Sequence, residues 1–191
     1  DVLLTLIVAV PAALIVGICA LIILISDGHN PFYRQNRIGK NGRAFGMWKL
    51  RSMVPNADAV LESYLTENPD ARREWDLTQK LKNDPRITAV GRLIRKTSID
   101  ELPQLLNVFG GDMSLVGPRP MMLDQRPLYP GVAYYAMRPG ITGFWQTSSR
   151  NESSFAERAT YDASYFNAMS LGTDLRVMIK TVGVVFAGTG Y

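Results

Sequence analysis

Asp100 and Glu101 are neighbouring carboxylates that follow Arg95 and Lys96 and precede Pro103, in the run Arg95-Lys96-Thr97-Ser98-Ile99-Asp100-Glu101-Leu102-Pro103-Gln104-Leu105. Proline lacks an N–H yet is tolerated in a first helical turn, so the spacing predicts a helix that starts close to Asp100. Ser98 with Glu101 also fits a capping box, which would place Pro103 beyond that first turn. Both registers put the carboxylates at a helix N-terminus, where the macrodipole, Arg95 and Lys96 favour the ionised form. Alone, the pair would be an N-cap and a first-turn acid and nothing more. Its company in the chain argues for chemistry.

Arg119 stands in Gly117-Pro118-Arg119-Pro120. Proline on both sides confines its backbone to extended conformations, and a guanidinium with little freedom left to lose suits bidentate recognition of phosphate. One histidine, His29, and one cysteine, Cys19, exclude an intrachain disulfide, a cysteine metal site and a multi-histidine zinc site. Any metal is expected to be a hard cation held by carboxylate and phosphate oxygens. The stretch Gly39-Lys40-Asn41-Gly42-Arg43 lacks the Lys-Ser/Thr ending of a P-loop and reads as a turn with a basic rim. This inventory fits phosphoryl transfer, with an aspartate able to act as nucleophile. It fits glycoside hydrolysis less well, since that needs carboxylates roughly 5–9 Å apart on opposite sides of the bond.

The elements that must position these residues belong to one principal domain, because 191 residues bury one sizeable core and leave little for a second. Lys and Arg number 21 against 17 Asp and Glu, a net +4. Placement says more than the total: residues 28–57 hold Arg34, Arg37, Lys40, Arg43, Lys49 and Arg51 and no acid. Before them, residues 2–25 carry no charge and, at about 1.5 Å per residue, are long enough to cross roughly 30 Å of hydrocarbon. Pro11 near the middle predicts a kinked span or a helix-break-helix that enters and leaves by one face. The cations that follow place that end of the segment in the cytoplasm.

Phe32–Ile38 and Ala44–Leu50, aromatic and branched around Asn41-Gly42, predict a β-hairpin. Residues 55–82 carry Ala59, Leu61, Tyr64, Leu65, Trp75, Leu77 and Leu81 at helical spacing and break at Asn68-Pro69-Asp70, which predicts two helices joined by a proline turn. Residues 87–95, with Val90, Leu93 and Ile94 on one face, predict a short helix leading into the carboxylates. Residues 113–116 form a short apolar segment, 138–146 a turn and an aromatic segment, and 151–168 a helix bearing Tyr161, Asp162, Tyr165 and Phe166. A last helix carries a stripe of Leu175, Met178, Ile179, Val182 and Phe186, expected in the core.

The run Lys96-Thr97-Ser98-Ile99-Asp100-Glu101-Leu102-Pro103-Gln104-Leu105-Leu106-Asn107-Val108, then Gly111-Asp112-Met113-Ser114-Leu115-Val116-Gly117-Pro118-Arg119-Pro120, resembles the bacterial sugar transferases, the monotopic polyprenyl-phosphate phosphoglycosyl transferases. Arg37-Ile38-Gly39, Lys49-Leu50-Arg51-Ser52-Met53 and Pro139-Gly140-Ile141-Thr142-Gly143 with Trp145-Gln146 extend the resemblance over essentially the whole chain. It implies an α+β fold, mainly helical with a small β-hairpin sheet, in which residues 1–27 form a re-entrant membrane helix and residues 28–191 a cytoplasmic catalytic domain. It implies transfer of a hexose-1-phosphate from a UDP-sugar to undecaprenyl phosphate at the bacterial inner membrane, with release of UMP and a requirement for Mg2+. By motif, Asp100 matches the nucleophile and magnesium-associated acid, and Glu101 its partner. Arg95 and Arg119 match phosphate-contacting arginines, Arg150 and Asp162 positions of the nucleotide-sugar site, and Lys49 and Arg51 lie in a further substrate-binding motif. Ser148-Ser149-Arg150 replaces the usual Ser-Gly-Arg, and residues 167–172 lack the usual tryptophans. The resemblance also extends to an insertion from Glu67 to Lys82, here with Asn68-Pro69-Asp70-Ala71-Arg72-Arg73-Glu74-Trp75, of the type found in the catalytic part of longer polypeptides that handle galactose or glucose.

Two other classes stay open at this point. A membrane-surface adaptor would use the apolar segment and the cations without catalysis, and a glycosyltransferase would move the sugar without its phosphate and release UDP. No nucleic-acid partner is expected, and a homodimer is compatible with the chain.

Overall fold

A computed structural model of the chain describes residues 1–78, 81–148 and 155–186. α1 (Val2–Asp27) is a 26-residue helix closed by Gly28 at φ 72°, the left-handed conformation that glycine adopts without strain. It runs without interruption through Pro11, so the helix-break-helix is not what forms. Proline withdraws one N–H from the ladder, but the turns on either side keep theirs, and the helix continues for about 39 Å at about 1.5 Å per residue. Most of its apolar surface is exposed. Both ends are nevertheless tied to the rest of the molecule. Ser114 Oγ donates to Asp1 Oδ2 at 2.7 Å and the Leu115 N–H to Asp1 Oδ1 at 3.3 Å. At the other end Arg51 Nη1 and Nη2 donate to Asp27 Oδ2 and Oδ1 at 2.6 and 2.7 Å. The helix therefore lies along the domain rather than projecting from it, with Ala20 and Ile23 packed on Leu50 and Ile94.

β1 (Phe32–Ile38) and β2 (Ala44–Leu50) form the predicted hairpin, in antiparallel register from Phe32 opposite Leu50 to Ile38 opposite Ala44. The connecting turn needs positive φ at Asn41 (58°) and Gly42 (74°), which Asn and Gly accept most readily. α2 (Ala57–Glu67) and α3 (Pro69–Thr78) follow, joined at Asn68 with Pro69 in the first turn of the second helix. α4 (Ala89–Lys96) starts at Thr88, whose side chain accepts from the Gly91 N–H at 2.9 Å. A Cβ at Gly91 would stand 1.9 Å from Ser52 O, so only glycine lets α4 approach the end of β2. Then come a 3₁₀ turn (Ile99–Gln104), α5 (Leu105–Phe109), β3 (Ser114–Val116), a second 3₁₀ turn (Leu123–Leu128), α6 (Ala133–Ala136), β4 (Gly140–Thr142), α7 (Arg158–Ala168) and α8 (Leu171–Phe186).

β3 and β4 pair in parallel, Ser114 with Gly140 and Val116 with Thr142, a second small sheet that the sequence pattern did not announce. Two three-residue strands are too short for periodicity to register, and their contact depends on glycine: a Cβ at Gly140 would lie 2.1 Å from Gly117 N. α8 departs from expectation in the face it buries. Val177 and Met178 pack on Val116, Met137 and Tyr165, while Leu175, Ile179 and Val182 point outward and are exposed. The sheet takes one narrow stripe, fixed further by a 2.6 Å hydrogen bond between the hydroxyls of Thr142 and Thr181. The Phe186 side chain lies outside the described residues.

Candidate active site

Asp100 and Glu101 do not open an α-helix. They sit in the 3₁₀ turn, entered from Ser98 at φ 56°, and the Ser98 side chain makes no capping bond, so the capping box is absent. A six-residue 3₁₀ turn with Pro103 inside it has no long dipole to offer, and the charge around the carboxylates comes from side chains instead. Asn107, six residues beyond Glu101, fixes their place. Its Oδ1 accepts from the Trp48 N–H at 2.9 Å and its Nδ2 donates to Gly46 O at 2.8 Å, so an amide on α5 completes the free edge of β2. Met47, Val108 and Met113 pack beneath that joint.

Alternation along β2 puts Met47 and Lys49 on the same face, toward the carboxylates. Lys49 Nζ lies 2.9 Å from Glu101 Oε1 and 3.7 Å from Asp100 Oδ2. Arg119 Nη2 approaches the same Glu101 Oε1 at 3.8 Å. Both prolines beside Arg119 are pinned: Pro118 O accepts from the Gly140 N–H at 2.8 Å, and Pro120 O from Arg37 Nη1 at 3.2 Å. Met121 then bridges to Ile38, and Tyr134 donates its hydroxyl to Ile38 O while accepting from the Met121 N–H. The guanidinium of Arg119 is thus displayed from a loop held at each end, as its flanking prolines predicted. Arg37, Met47, Lys49, Glu101, Gln104 and Arg119 line the resulting cleft, with Asp100 buried at its edge.

The two carboxylates are driven apart electrostatically. Burial pushes Glu101 up, but Lys49 and Arg119 outweigh it and hold the carboxyl down at about 2. For Asp100, burial and the neighbouring Glu101 charge win over Lys49, Arg95 and Arg119, and its carboxyl lies above the ordinary aspartate range. Burial opposes the Lys49 charge, yet Glu101 and Asp100 raise it above an ordinary lysine, so it stays a cation. Glu101 is the fixed anion of the cleft. Asp100 is the carboxylate whose ionisation gains most from added positive charge. Among the described residues no cluster of three acidic, histidine or cysteine side chains exists. Two adjacent carboxylates fit a magnesium-type ion, which takes one or two protein carboxylates and completes its shell with substrate phosphate and water.

The profile of the family described as "Bacterial sugar transferase" matches residues 1–188. The chain belongs to the bacterial sugar transferase family. It is 47% identical over 171 residues to the exopolysaccharide production protein ExoY of Rhizobium meliloti, covering 88% of this chain and 76% of that protein. It is 51% identical over 177 residues to the UDP-galactose-lipid carrier transferase of Erwinia amylovora, covering 90% of this chain and 37% of the relative. It is 49% identical over 166 residues to the undecaprenyl-phosphate galactose phosphotransferase of Salmonella typhimurium, covering 86% of this chain and 35% of the relative. The chain therefore spans three quarters of the first relative and little more than a third of the other two.

Of the residues that the sugar transferase motifs single out, the structure gathers Asp100, Glu101, Lys49 and Arg119 in one cleft. Arg95, at the end of α4, acts on the Asp100 carboxyl through its charge. Arg51 is not brought there. Its guanidinium is committed to Asp27 and to the carbonyls of His29 and Asn30, a clamp between β2 and α1 that holds the Asp27 carboxyl well below the usual range. Asp162, on α7, is buried and accepts the Tyr129 hydroxyl at 2.7 Å. Arg150 lies outside the described residues.

The motifs contain Arg37, Asn107 and Trp145, but sequence reasoning gave them no role in the site, and it passed over Arg158. The Arg158 guanidinium stands 4.1 Å from the centre of the Trp145 ring, and that of Arg119 stands 5.8 Å from the same ring. A signal for Arg158 was present: it precedes Asp162 by four positions, which puts both on one helical face.

Proposed function

We propose that this sugar transferase moves a hexose-1-phosphate from a UDP-hexose, of the galactose or glucose type, to undecaprenyl phosphate and releases UMP, an early membrane step in polysaccharide synthesis. The observation that carries the reading is the buried Asp100 beside a Glu101–Lys49–Arg119 charge array in a cleft fit for phosphate. The names of the Erwinia and Salmonella relatives support the lipid carrier and the galactose class. Another relative, 34% identical, is the UDP-glucose:undecaprenyl-phosphate glucose-1-phosphate transferase of Escherichia coli.

In the first step an Asp100 carboxylate oxygen attacks the sugar-bearing phosphorus, an aspartyl-phosphate bond forms, and the bond to the nucleoside phosphate breaks, its electron pair leaving with UMP. In the second, a phosphate oxygen of the lipid attacks the same phosphorus and returns the carboxylate of Asp100. Arg119 and Lys49 neutralise phosphate charge as it moves, and Glu101 keeps both cations in place. Asp100, with Glu101 beside it, would hold Mg2+, whose charge would favour the ionised nucleophile and screen the donor phosphates.

The anchor reading follows from α1. Its exposed apolar surface suits lipid, and both of its ends reach the domain, as an unbroken helix lying in the cytoplasmic face of the membrane requires. Impermeant labelling of single cysteines before Val2 and after Ser26, in a Cys19→Ala background, should protect both sites in intact cells. Periplasmic labelling of the first alone would establish a span.

The activity test mixes the protein with UDP-hexoses, magnesium and undecaprenyl phosphate and identifies the nucleotide formed. UMP is expected. UDP would point to direct glycosyl transfer, and no nucleotide with any donor would leave a membrane adaptor. Donor without lipid should add the mass of a hexose phosphate to the Asp100 peptide.

A further inference from the structure

Arg158 has surroundings that a purely structural arginine does not need. Its guanidinium stacks on Trp145 at 4.1 Å and on Phe155 at 4.6 Å from the ring centres, and its Nε is buried with no hydrogen-bond partner among the described residues. It forms no ion pair within 4 Å among the described residues. Arg119 shares the Trp145 ring at 5.8 Å, so the two guanidinium carbons stand at most the sum of those two distances apart, about 10 Å. A third arginine, Arg37, lines the cleft beside Arg119 and also has a buried Nε with no partner among the described residues. Burial, then repulsion from Arg119, draws the Arg158 guanidinium down to about 10, with Asp162 opposing and Arg37 adding to the fall.

Arg37, Lys49 and Arg119 line the cleft and Arg158 stands beside it on Trp145, four cations for three nearby carboxyls, of which Glu101 is paired with Lys49 and Asp162 accepts the Tyr129 hydroxyl. Such a pocket has an excess of desolvated positive charge. A group with several phosphate oxygens would balance it, each guanidinium offering a planar fork to one phosphate. Because Arg119 stands 3.8 Å from Glu101 and shares the Trp145 ring with Arg158, the two guanidinium groups suit the two phosphates of one donor.

We propose that Arg158 binds the phosphate of the leaving nucleoside monophosphate, with the buried Trp145 ring setting its distance from Arg119. This rests on the UMP-releasing reading above. It gives Arg158 a role only in the donor half of the reaction, so the lipid phosphate should not depend on it.

The test uses the full chain in detergent or lipid discs, as wild type, Arg158→Gln and Arg158→Lys, with melting curves to verify folding. Three quantities are measured: inhibition by UMP, exchange of labelled UMP into UDP-hexose without lipid, and the KM for undecaprenyl phosphate. Arg158→Gln should weaken UMP inhibition about 10- to 100-fold, the worth of a lost charge-assisted hydrogen bond, and slow the exchange. Arg158→Lys keeps the charge but not the fork or the stacking and should lose several-fold. The lipid KM should stay within about twofold in both, a residual shift expected of a residue that never touches the acceptor. If a folded Arg158→Gln or Arg158→Lys protein is inhibited by UMP as the wild type is, or if the lipid KM shifts instead, the assignment is wrong while the phosphotransferase reading stands. Wild-type protein that neither binds UMP nor releases it would defeat that reading and this inference together.

Discussion

Asp100 and Asp162 are both buried aspartates, 7% and 6% exposed, and burial pushes both carboxyls above the ordinary range. They differ in what stands around them. Asp162 accepts one hydrogen bond from Tyr129, with Arg158 the cation that acts on it, and so ties α7 to the chain just past the second 3₁₀ turn. Asp100 shares Lys49 with a second carboxylate that has already taken the counter-charge, and it sits beside the cleft lined by Lys49, Glu101 and Arg119 rather than on a hydroxyl. Burial raises a carboxyl's basicity in either place. Only where cations and an opening converge can that basicity meet a phosphorus atom.

The same substitution made in both places breaks the comparison open. Asp100→Asn is isosteric but removes the attacking charge, and turnover should fall by about a thousandfold or more, with no hexose phosphate mass on the peptide. Asp162→Asn should still form that adduct on Asp100. Near-normal turnover in Asp100→Asn would remove the distinction between the two aspartates and move the chemistry to Glu101.

Arg119→Lys is the next largest effect. Lysine keeps the charge beside Glu101 but loses the planar fork and the stacking on Trp145, so kcat/KM should fall about 10- to 100-fold with little change in melting temperature. Activity equal to wild type would reduce Arg119 to a turn residue, and the cleft would then owe its phosphate affinity to Lys49 and Arg37.

The hairpin, the helix pair across Asn68-Pro69 and the short helix before the carboxylates were all legible, because turn chemistry and apolar spacing are local. The carboxylate cleft was legible in part: a proline-flanked arginine and an acid pair can be read along the chain, whereas the lysine that joins them comes from a strand 52 positions away. The stapling amide of Asn107 and the stack of Arg119 and Arg158 on Trp145 are tertiary contacts, and no periodicity announces them. The outward stripe of α8 shows the converse limit. Helical spacing says that a face is apolar, but the neighbour decides which face is covered, and here the short β3–β4 sheet covers Val177 and Met178.

The smallest effect isolates burial itself. The Asp162 carboxyl is raised to about 6, whereas an unfolded aspartate titrates near about 3.9. Between those values the folded chain binds more protons than the unfolded one, so the contribution of Asp162 to stability is full below about pH 4 and is lost as pH rises through about 6. Asn at this position keeps an acceptor for the Tyr129 hydroxyl and never ionises. Asp162→Asn should therefore match the wild type near pH 4 and melt a few degrees higher at pH 7.5, a gain on the order of 1–3 kcal/mol. Melting curves across that range check it. If Asp162→Asn instead melts lower at pH 7.5, the ionised Asp162 is a net asset held by Arg158. The Asp162 site would then be an ion pair, and its resemblance to the carboxylate cleft would be closer than the hydrogen bond to Tyr129 implies.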